Sequence, residues 1–498
     1  MTISKSQYMR GLQCHKSLWL HKNKSALKDK YDNTSMVLYD AGINLGQLAQ
    51  SLFPDGTEVQ YDATNLKKML STTQDLIKNG TKVIYEATFS ENGVLVMVDI
   101  LVKNGDTWDM YEVKGTTNVK TKQGRTKAKY LYDVAIQWYT LSKILKLNKA
   151  YLVYLDKKYT RNGALEVEKL FVKKDISIEV IEEQVHINDK LTSMENMLTA
   201  KDMPKIDIGR HCSSPYRCDF HKYCWQDIPE DSIFKIAYAK KAHWSLYEKG
   251  IISMRDVPDN FPLEKRAKKQ LKSYKANETH IDKPKIQSFI EKINYPINFL
   301  DFETFQSPIP RFDGQKPYIH IPFQYSLHIL HEDGRLEHKE FLANEHNDPR
   351  GELAKDMLKN ITEKGSIVAY KDTFEKSQIK NLALFLPDIK NNLLALNKRF
   401  IDLAEPFSKR YYYHPKFHGR HSIKVVLPTL FPEDSKLNYK NLGSIQNGLD
   451  AMNTFEKLHR LQDKSKREII RQDLLIYCHL DTLAMVKILE KLNELVYE

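Results

Sequence analysis

Val94-Leu95-Val96-Met97-Val98-Asp99-Ile100-Leu101-Val102 is an apolar, strand-like run that carries one acid in its interior. A second strand-like run extends from Trp108 to Val113, and Glu112, Val113 and Lys114 stand at its end. Side chains two residues apart in a strand point to the same face of the sheet, so Glu112 and Lys114 share a face. We predict that the two strands are neighbours and that Asp99, Glu112 and Lys114 converge.

The residues before this run extend the prediction to a mixed helix and strand domain. Residues 81–89 form a further strand-like run, joined to the first by Glu91-Asn92-Gly93. An Asn-Gly pair between two such runs is a strong hairpin signal. Glu86 lies in that strand and is a further candidate for the same site. A helical pattern covers residues 35–53, upstream of the strands.

A helix is predicted after the strands, with Asp133 and Gln137 one turn apart on one face. Two carboxylates hold Mg²⁺ or Mn²⁺ well, while a lysine positions the attacking water or steadies charge at the scissile phosphate. Asp99, Glu112-x-Lys114 and the downstream Gln137 resemble the PD-(D/E)XK core of RecB-family nucleases. The resemblance implies a restriction-endonuclease-like fold. It also implies catalytic roles for Asp99, Glu112, Lys114 and Gln137, and metal ligation by Glu86, Asp99 and Glu112. The alternative is an ordinary surface Glu-x-Lys pair.

Four of the five cysteines have an organised spacing: Cys14 stands alone, and Cys212, Cys218 and Cys224 fall within thirteen residues. In a reducing cytosol, thiolate ligation explains such a group better than disulfides do. Zinc and a 4Fe–4S cluster both accept four thiolates, and the five-residue spacers favour iron–sulfur. The alternative is three incidental thiols in a loop. One cysteine before the acids and three after is similar to the iron–sulfur branch of the RecB-like family, which includes AddB and CRISPR-associated nucleases. The likeness implies a structural cluster.

A second apolar strand, Pro296-Ile297-Asn298-Phe299-Leu300-Asp301-Phe302-Glu303-Thr304, places Asp301 and Glu303 on one face near its end. Strand-like runs follow at residues 323–330 and 336–342, joined by Asp333-Gly334, and another lies at residues 366–370. This order resembles the DnaQ-like, or DEDD, exonuclease fold, which is RNase H-like. The resemblance implies that four acids hold two cations.

Asp301 and Glu303 supply the first two of these acids. Glu375 stands where the second motif of that family has its Asp, and Lys371 stands where the motif has its Asn. Asp402 is the second choice for this acid. All of these residues precede the terminal helix, which is predicted to carry the last motif.

Tyr477-Cys478-His479-Leu480-Asp481 matches the Tyr-x-x-x-Asp variant of that last motif. Tyr477 and Asp481 are four residues apart on a helix and therefore face the same way. The resemblance implies that Asp481 binds metal and that Tyr477 orients the nucleophile. His479 is the rival for that role, but its spacing of two from Asp481 puts it on another face, so we expect it to be at the surface or secondary.

Residues 226–290 form a lysine-rich connecting region, with helical patterns at 237–246 and 263–273 around a turn at Gly250. Residues 246–257 resemble half of a helix-hairpin-helix, and a plain helical linker is the alternative. We predict three segments: a nuclease domain with a four-cysteine cluster over residues 1–228, the linker over 229–290, and a DnaQ-like domain over 291–498.

Length and charge agree with this division. A chain of 498 residues exceeds what one hydrophobic core serves, and 76 Lys and Arg against 64 Asp and Glu give a net charge of +12. Such a balance favours a polyanionic partner. No apolar stretch approaches the roughly 18 residues needed to cross a bilayer, and the N-terminus has no signal-peptide core. We expect a cytoplasmic protein that does not bind membranes.

The whole arrangement resembles an uncharacterised bacterial family that joins a RecB-like nuclease with cysteines to a DnaQ-like exonuclease domain. The resemblance implies a divalent-metal-dependent nuclease of α/β class that cleaves DNA in preference to RNA, in repair or phage defence. The alternative is a nucleic-acid-binding assembly protein in which one or both acid sets are inactive and the cluster is a scaffold. The chain carries no signal that identifies protein partners.

Overall fold

The computed structural model describes residues 2–29, 43–239 and 241–497, which form two compact units. The first unit comprises Met1–Asp227 together with Ser307–Tyr318. The second comprises Ile228–Gln306 and Ile319–Glu498, so the connecting region at residues 229–290 belongs to it. Both units are of mixed α/β class, because each has a sheet with parallel and antiparallel pairs that is covered by helices.

The first unit is built on a seven-stranded sheet in the order β2-β3-β4-β5-β6-β7, with β1 pairing with β4 in parallel. Its strands are β1 Ile3–Ser4, β2 Thr57–Glu58, β3 Val83–Glu91, β4 Val94–Asn104, β5 Thr107–Lys114, β6 Leu147–Leu155 and β7 Phe171–Asp175. The hairpin β3-β4 turns at Asn92 and Gly93, whose φ angles of 48° and 72° are those that a two-residue hairpin turn needs. The predicted hairpin is confirmed.

Helices cover both faces of this sheet. They are α1 Lys5–Gln13, α2 His15–Asn23, α3 at residues 43–50, α4 Leu66–Lys78, α5 Ala128–Leu141, α6 Val167–Leu170, α7 Ser177–Glu183, α8 Ile187–Thr199 and α9 His221–Cys224. The helical pattern predicted over residues 35–53 is present at 43–50, and its first part lies outside the described residues. The larger core lies on the face covered by α1 and α5, and Trp108 and Met110 of β5 point into it.

The segment Ser307–Tyr318 was predicted to belong to the second domain, but it packs with the first unit. The guanidinium of Arg161 donates hydrogen bonds to the carbonyls of Pro310 and Arg311, at 3.0 and 2.9 Å. The Tyr318 hydroxyl donates to the carbonyl of Gly115 at 2.8 Å. Sequence patterns describe local periodicity, and they carry no information on these long-range contacts.

The second unit contains a five-stranded sheet in the order β11-β10-β9-β12-β13. These strands are β9 Ile297–Phe305, β10 Ile321–Leu330, β11 Leu336–Leu342, β12 Ile367–Ala369 and β13 Phe400–Asp402, and a separate pair joins β8 His280–Ile281 to β14 Tyr412–Tyr413. Strands β9, β10 and β11 are antiparallel neighbours, whereas β12 lies parallel to β9 and β13 parallel to β12. The strands predicted from the sequence are confirmed.

The helices of the second unit form a layer on each face of that sheet. They are α10 Ala242–Tyr247, α11 Lys265–Ala276, α12 Lys283–Ile290, α13 Arg350–Asn360, α14 Thr373–Phe385, α15 Lys390–Leu396, α16 Glu405–Ser408, α17 Ile423–Leu430, α18 Gly448–Leu458 and α19 Lys464–Tyr497. Helices α13, α14 and α15 share a core with Leu300 and Phe302. Helices α18 and α19 contact the other face. Among the described residues, no helix combines the length and the apolar character that crossing a bilayer requires.

The predicted helix-hairpin-helix resemblance at residues 246–257 is not reproduced by the backbone. Helix α10 ends at Tyr247, the chain turns at Gly250 with φ at 77°, and Met254–Asp256 then forms a single 3₁₀ turn. A helix-hairpin-helix needs a second helix directly after the turn. The apolar side chains of this segment, Leu246, Met254 and Val257, are buried in a small core instead.

Candidate functional site

The second unit brings three of the predicted acids together. One carboxylate oxygen from each of Asp301, Glu303 and Asp481 lies within 4.8 Å of the other two. Strand alternation explains the first two, because Leu300 and Phe302 point into the core beneath β9 and their neighbours must point to the opposite face. Helix α19 crosses that opposite face and carries Asp481. We refer to Asp301, Glu303 and Asp481 together as the acid trio.

The acid trio lines a cavity of about 360 Å³, which we call the acid cavity. Its wall residues include the following: Asp301, Phe302, Glu303, Thr304, His320, Tyr370, Lys371, Phe374, Glu375, Ser422, Ile423, Lys424, Gly448, Met452, Tyr477, Asp481 and Met485. The wall thus contains both Tyr477 and Glu375. Pockets of this size, with a few convergent polar groups, are the usual form of small-ligand and active sites.

The two candidates for the fourth acid, Glu375 and Asp402, have different surroundings. Glu375 is buried in the cavity wall, and its Oε2 has no hydrogen-bond partner among the described residues. Asp402 instead accepts hydrogen bonds from the backbone N–H groups of Lys371 and Ala404, at 2.8 and 2.9 Å. Glu375 lies in the same cavity as the acid trio but outside the group whose oxygens are mutually within 4.8 Å.

Burial and mutual repulsion dominate the electrostatics of this cavity. Burial, with the nearby charges of Asp481 and Glu375, raises the pKa of Asp301 well above its ordinary value. The same causes raise the pKa of Glu303 well above its ordinary value. Burial also raises the pKa of Glu375 to about 8, and the neighbouring Asp481 adds to the rise. A site that concentrates carboxylates so strongly is one that a divalent cation would stabilise.

Three side chains around Asp481 organise the site. Tyr439 donates a hydrogen bond to Asp481 Oδ1 at 2.5 Å, and Lys424 Nζ donates to the hydroxyl of Tyr477 at 2.9 Å. The ammonium of Lys424 opposes the rise in the pKa of both Asp481 and Glu303. Neither Lys424 nor Tyr439 was assigned to the site from the sequence, which contains no motif for Tyr439.

His479 was expected at the surface or in a secondary place, and it lies outside the wall of the cavity that holds Asp481. The residue is half-buried, and its ring packs against His338 with ring centroids 4.3 Å apart. A second histidine, His328, lies 4.8 Å from it by the same measure. Helical spacing separated His479 correctly from the face of Asp481, but it could not show what the other face contacts.

In the first unit, Glu112 lies at the centre of a buried network. Trp108 and Met110 point into the larger core, so Glu112, two residues further on, points to the same face. Its Oε1 accepts hydrogen bonds from Lys114 Nζ at 2.6 Å and from Lys5 Nζ at 2.8 Å, and its Oε2 accepts one from Gln137 Nε2 at 2.8 Å. The structure therefore brings together Glu112, Lys114 and Gln137.

The remaining two acids of this group lie beside Glu112. Asp99 Oδ2 accepts a hydrogen bond from the backbone N–H of Val113 at 2.6 Å. Burial, together with the charge of Glu112, raises the pKa of Asp99 to about 7. Burial, then Asp99 and Glu112, raises the pKa of Glu86 to about 7 as well. Glu86 has a φ of 54° and is missing from the β3-β4 register between Tyr85 and Ala87, so a local irregularity sets its direction.

Two members of this network, Asp133 and Lys5, were not assigned to the site from the sequence. Lys114 forms an ion pair with Asp133, and Lys5 Nζ lies 3.7 Å from the same carboxylate. Burial alone would raise the pKa of Glu112. The positive charges of Lys114 and Lys5 outweigh burial and hold this pKa below the ordinary value. Asp133 had a usable signal, because it lies one turn from Gln137 on α5. Lys5 had none, since it reaches the site from the first helix.

The cysteines Cys14, Cys212, Cys218 and Cys224 lie in one region of the first unit. Burial raises the pKa of Cys224, and Cys218, Cys212 and Cys14 add to the rise. Backbone N–H groups of Gly209 and Phe220 approach the sulfurs of Cys212 and Cys218 at 3.4 and 3.5 Å. The fifth cysteine, Cys478, is buried in the second unit, with Sγ 3.9 Å from Asp301 Oδ2.

Comparison with known proteins gives one partial family match. Residues 298–422 match the model of a domain of unknown function, DUF2779. The match includes Asp301, Glu303 and Glu375 and ends before Tyr477 and Asp481. The domain's description names no activity, so the match groups this part of the chain without assigning a function to it.

Two individual proteins are similar to parts of the chain. Uncharacterized protein UU173 of Ureaplasma parvum is 29% identical over 247 residues, which span 45% of this chain and 35% of that protein. The match therefore covers about a third of the relative's length. An alkaline exonuclease (LHK-Exo) from Laribacter hongkongensis overlays on 40% of this chain and 89% of its own, with 15% identity and a TM-score of 0.18. This structural likeness is weak.

Proposed function

We propose that the protein is a divalent-metal-dependent nuclease whose clearest centre is the acid cavity of the second unit. The observation that carries this proposal is the meeting of Asp301, Glu303 and Asp481 within 4.8 Å in a buried cavity. Burying carboxylates without a neutralising cation is energetically costly. Clusters of oxygen ligands bind hard divalent cations preferentially. The cluster is therefore suited to Mg²⁺ or Mn²⁺.

The residues of the cavity divide the work of hydrolysis. Bound divalent cations supply activation of water and stabilisation of the leaving oxygen in phosphodiester cleavage. Asp301, Glu303 and Asp481 would hold them, with Glu375 as the fourth acid of the same cavity. Tyr477 orients the attacking water with its hydroxyl, which Lys424 holds in place. This assignment makes the centre in the second unit a DEDD-type exonuclease.

A second centre is proposed in the first unit, of the PD-(D/E)XK type. Glu86, Asp99 and Glu112 are its metal ligands, and Lys114 is the group that positions the water or steadies charge on the phosphate. Gln137 orients Glu112 by the 2.8 Å hydrogen bond to Oε2. The ion pairs of Lys5 and Lys114 with Glu112 partly neutralise the negative charge of this site.

The four cysteines fit a 4Fe–4S cluster, with zinc as the alternative. Their donor chemistry suits either, because both accept four thiolates. Support comes from the backbone N–H groups that approach the sulfurs of Cys212 and Cys218. Cys14 is separated from Cys212 by most of the first unit's sequence, so a shared ligand would tie the two ends of that unit together. The proposed role is structural.

The proposed substrate is DNA, with RNA as the less favoured polymer, and the proposed setting is DNA repair or phage defence. The net charge of +12 supports a polyanionic substrate. Purified chain should cleave labelled single-stranded or double-stranded DNA in Mg²⁺ or Mn²⁺ and leave it intact in EDTA. The double variant Lys114→Ala/Asp301→Asn should lose this cleavage. The exposed controls Lys82→Ala and Asp333→Asn should keep it.

The rival function is a nucleic-acid-binding assembly protein with inactive centres. It predicts that the protein binds DNA or RNA but does not turn either over in Mg²⁺ or Mn²⁺. If wild-type protein with its cluster intact leaves all four labelled polymers, single- and double-stranded DNA and RNA, uncut while still binding them, the nuclease proposal is wrong and the assembly function replaces it.

A further inference from the structure

Three histidines of the second unit gather on the face of the sheet that α19 covers. They are His328 of β10, His338 of β11 and His479 of α19. His328 and His338 are directly opposite each other in the β10-β11 register, and α19 places His479 over the pair. No role in the proposed nuclease chemistry uses these side chains.

The spacing of the ring nitrogens matches a coordination sphere. One nitrogen from each histidine lies within 4.8 Å of the other two, and His479 Nδ1 is 3.4 Å from His338 Nδ1. A tetrahedral ion with metal–nitrogen bonds of about 2.0–2.1 Å holds its ligand nitrogens about 3.4 Å apart. Small movements of the rings would complete this geometry.

Hydroxyl groups orient two of the three rings. His328 Nδ1 lies 2.8 Å from Thr482 Oγ1, and His338 Nε2 lies 2.9 Å from Ser326 Oγ. Ser326 Oγ and Thr482 Oγ1 are themselves 2.7 Å apart. Metal-binding histidines characteristically engage their second ring nitrogen with such a partner, which fixes the ring and leaves the other nitrogen for the ion.

Burial also favours the neutral form of two of the three rings. Burial, with the neighbouring histidines, lowers the pKa of His328 to about 3, and burial, with His479, lowers that of His338 to about 4. Neutral imidazoles carry a free lone pair at physiological pH.

We propose that His328, His338 and His479 form a binding site for a divalent transition metal of the zinc class, separate from the carboxylate site. The ligand chemistry supports the separation, because imidazole selects zinc and its neighbours in the transition series whereas carboxylates suit Mg²⁺ and Mn²⁺. The two sites lie on one sheet face, since Ser326, which contacts His338, is paired with Asp301 in the β9-β10 register.

The ion would fasten α19 to the edge strand β11. Helix α19 also carries Tyr477 and Asp481, and His479 lies between them in the sequence. The ion therefore has a positioning role, because it limits the movement of the helix that supplies the last acid. This inference is independent of the proposed nuclease activity, since a metal can bind at the three histidines whether or not the chain cleaves DNA.

The test compares bound Zn²⁺ in full-length protein and two histidine variants, in excess Mg²⁺ to occupy the carboxylates. His338→Gln removes a ligand, and His331→Gln is the matched control, because the two side chains are 24% and 25% exposed. We expect His338→Gln to bind one equivalent less Zn²⁺ than wild type, and His331→Gln to equal wild type. Equal binding by wild type and His338→Gln would overturn the proposal.

A second measurement does not depend on the folding of a variant. Crystals of the wild-type chain soaked in Zn²⁺ should give an anomalous peak about 2.0–2.1 Å from one ring nitrogen of each histidine. An anomalous map with no peak among the three rings would overturn the proposal even if the histidine variant unfolds. Co²⁺ in place of Zn²⁺ should add the visible bands of a tetrahedral nitrogen-ligated ion, and these bands should be missing from His479→Gln.

Discussion

The hydroxyl of Tyr439 donates a 2.5 Å hydrogen bond to Oδ1 of Asp481, the acid that the last helix contributes to the cavity. Tyr439 is almost fully buried, and burial with the charge of Asp481 raises its pKa well above the ordinary value. The phenol therefore stays protonated and acts as a permanent donor. This contact fixes the direction of the carboxylate before any metal binds.

Removing that donor should weaken metal binding more than catalysis. We expect Tyr439→Phe to raise the Mg²⁺ concentration for half-maximal cleavage by about 10- to 100-fold, the usual effect of losing a partner of a metal ligand. Cleavage at saturating Mg²⁺ should fall much less. Tyr412→Phe is the matched control, because Tyr412 is 7% exposed and Tyr439 6%. A normal Mg²⁺ requirement in Tyr439→Phe would contradict the role given to this hydrogen bond.

Glu375 makes the metal-free protein sensitive to pH. Its pKa is about 8 in the folded chain, against an ordinary value of 4.5, so the native state holds a proton that the unfolded state releases above pH 4.5. Stability from this group is complete below pH 4.5 and is lost as the pH rises towards 8. In EDTA, the melting temperature of wild type should therefore fall between pH 5 and 8 by more than that of Glu375→Gln. Parallel melting curves for the two proteins would show that Glu375 is ionised in the native state.

Asp133 should support catalysis by the first unit through Lys114. The test uses an Asp301→Asn background, in which only the centre of the first unit is intact. There we expect Asp133→Asn to lower the cleavage rate by at least about 10-fold, because the loss of a charged hydrogen-bond partner costs about 1.5–3 kcal/mol. Glu183→Gln is the control: Glu183 and Asp133 each pair with a lysine, and both side chains are 13% exposed. Equal rates for the two variants would remove Asp133 from the site.

The cysteine proposal predicts a difference between two cysteines. Cys14→Ser should lose the brown colour, the iron and the acid-labile sulfide of an iron–sulfur protein, and it should melt at a lower temperature. Cys478→Ser should keep the iron, because Cys478 lies in the second unit. Iron and sulfide are measured on protein purified without oxygen. Wild-type protein that contains zinc and no iron would favour the zinc alternative.

The sequence predicted those parts of the sites that local periodicity determines. Asp301 and Glu303 follow from strand alternation, and Tyr477 and Asp481 follow from helical spacing. The order of strands around Asp99 and Glu112 was likewise predictable, because the Asn92-Gly93 turn forces a hairpin.

The rest depends on contacts between distant residues. Lys5 reaches Glu112 across 107 positions, and Tyr439 reaches Asp481 across 42. No spacing rule connects such residues, and the three histidines meet only because α19 crosses β10 and β11. A helical wheel likewise shows which face His479 occupies but not what packs against that face.

The most direct test of the central claim isolates the acid cavity. Cleavage of labelled DNA in Mn²⁺ is measured for Lys114→Ala, in which the first centre is disabled, and for the same protein with Asp301→Asn added. The loss of a metal ligand removes several kcal/mol of transition-state stabilisation, so we predict that the added change lowers the rate by at least about 100-fold. Equal rates for the two proteins would contradict the claim that Asp301, Glu303 and Asp481 form a nuclease centre.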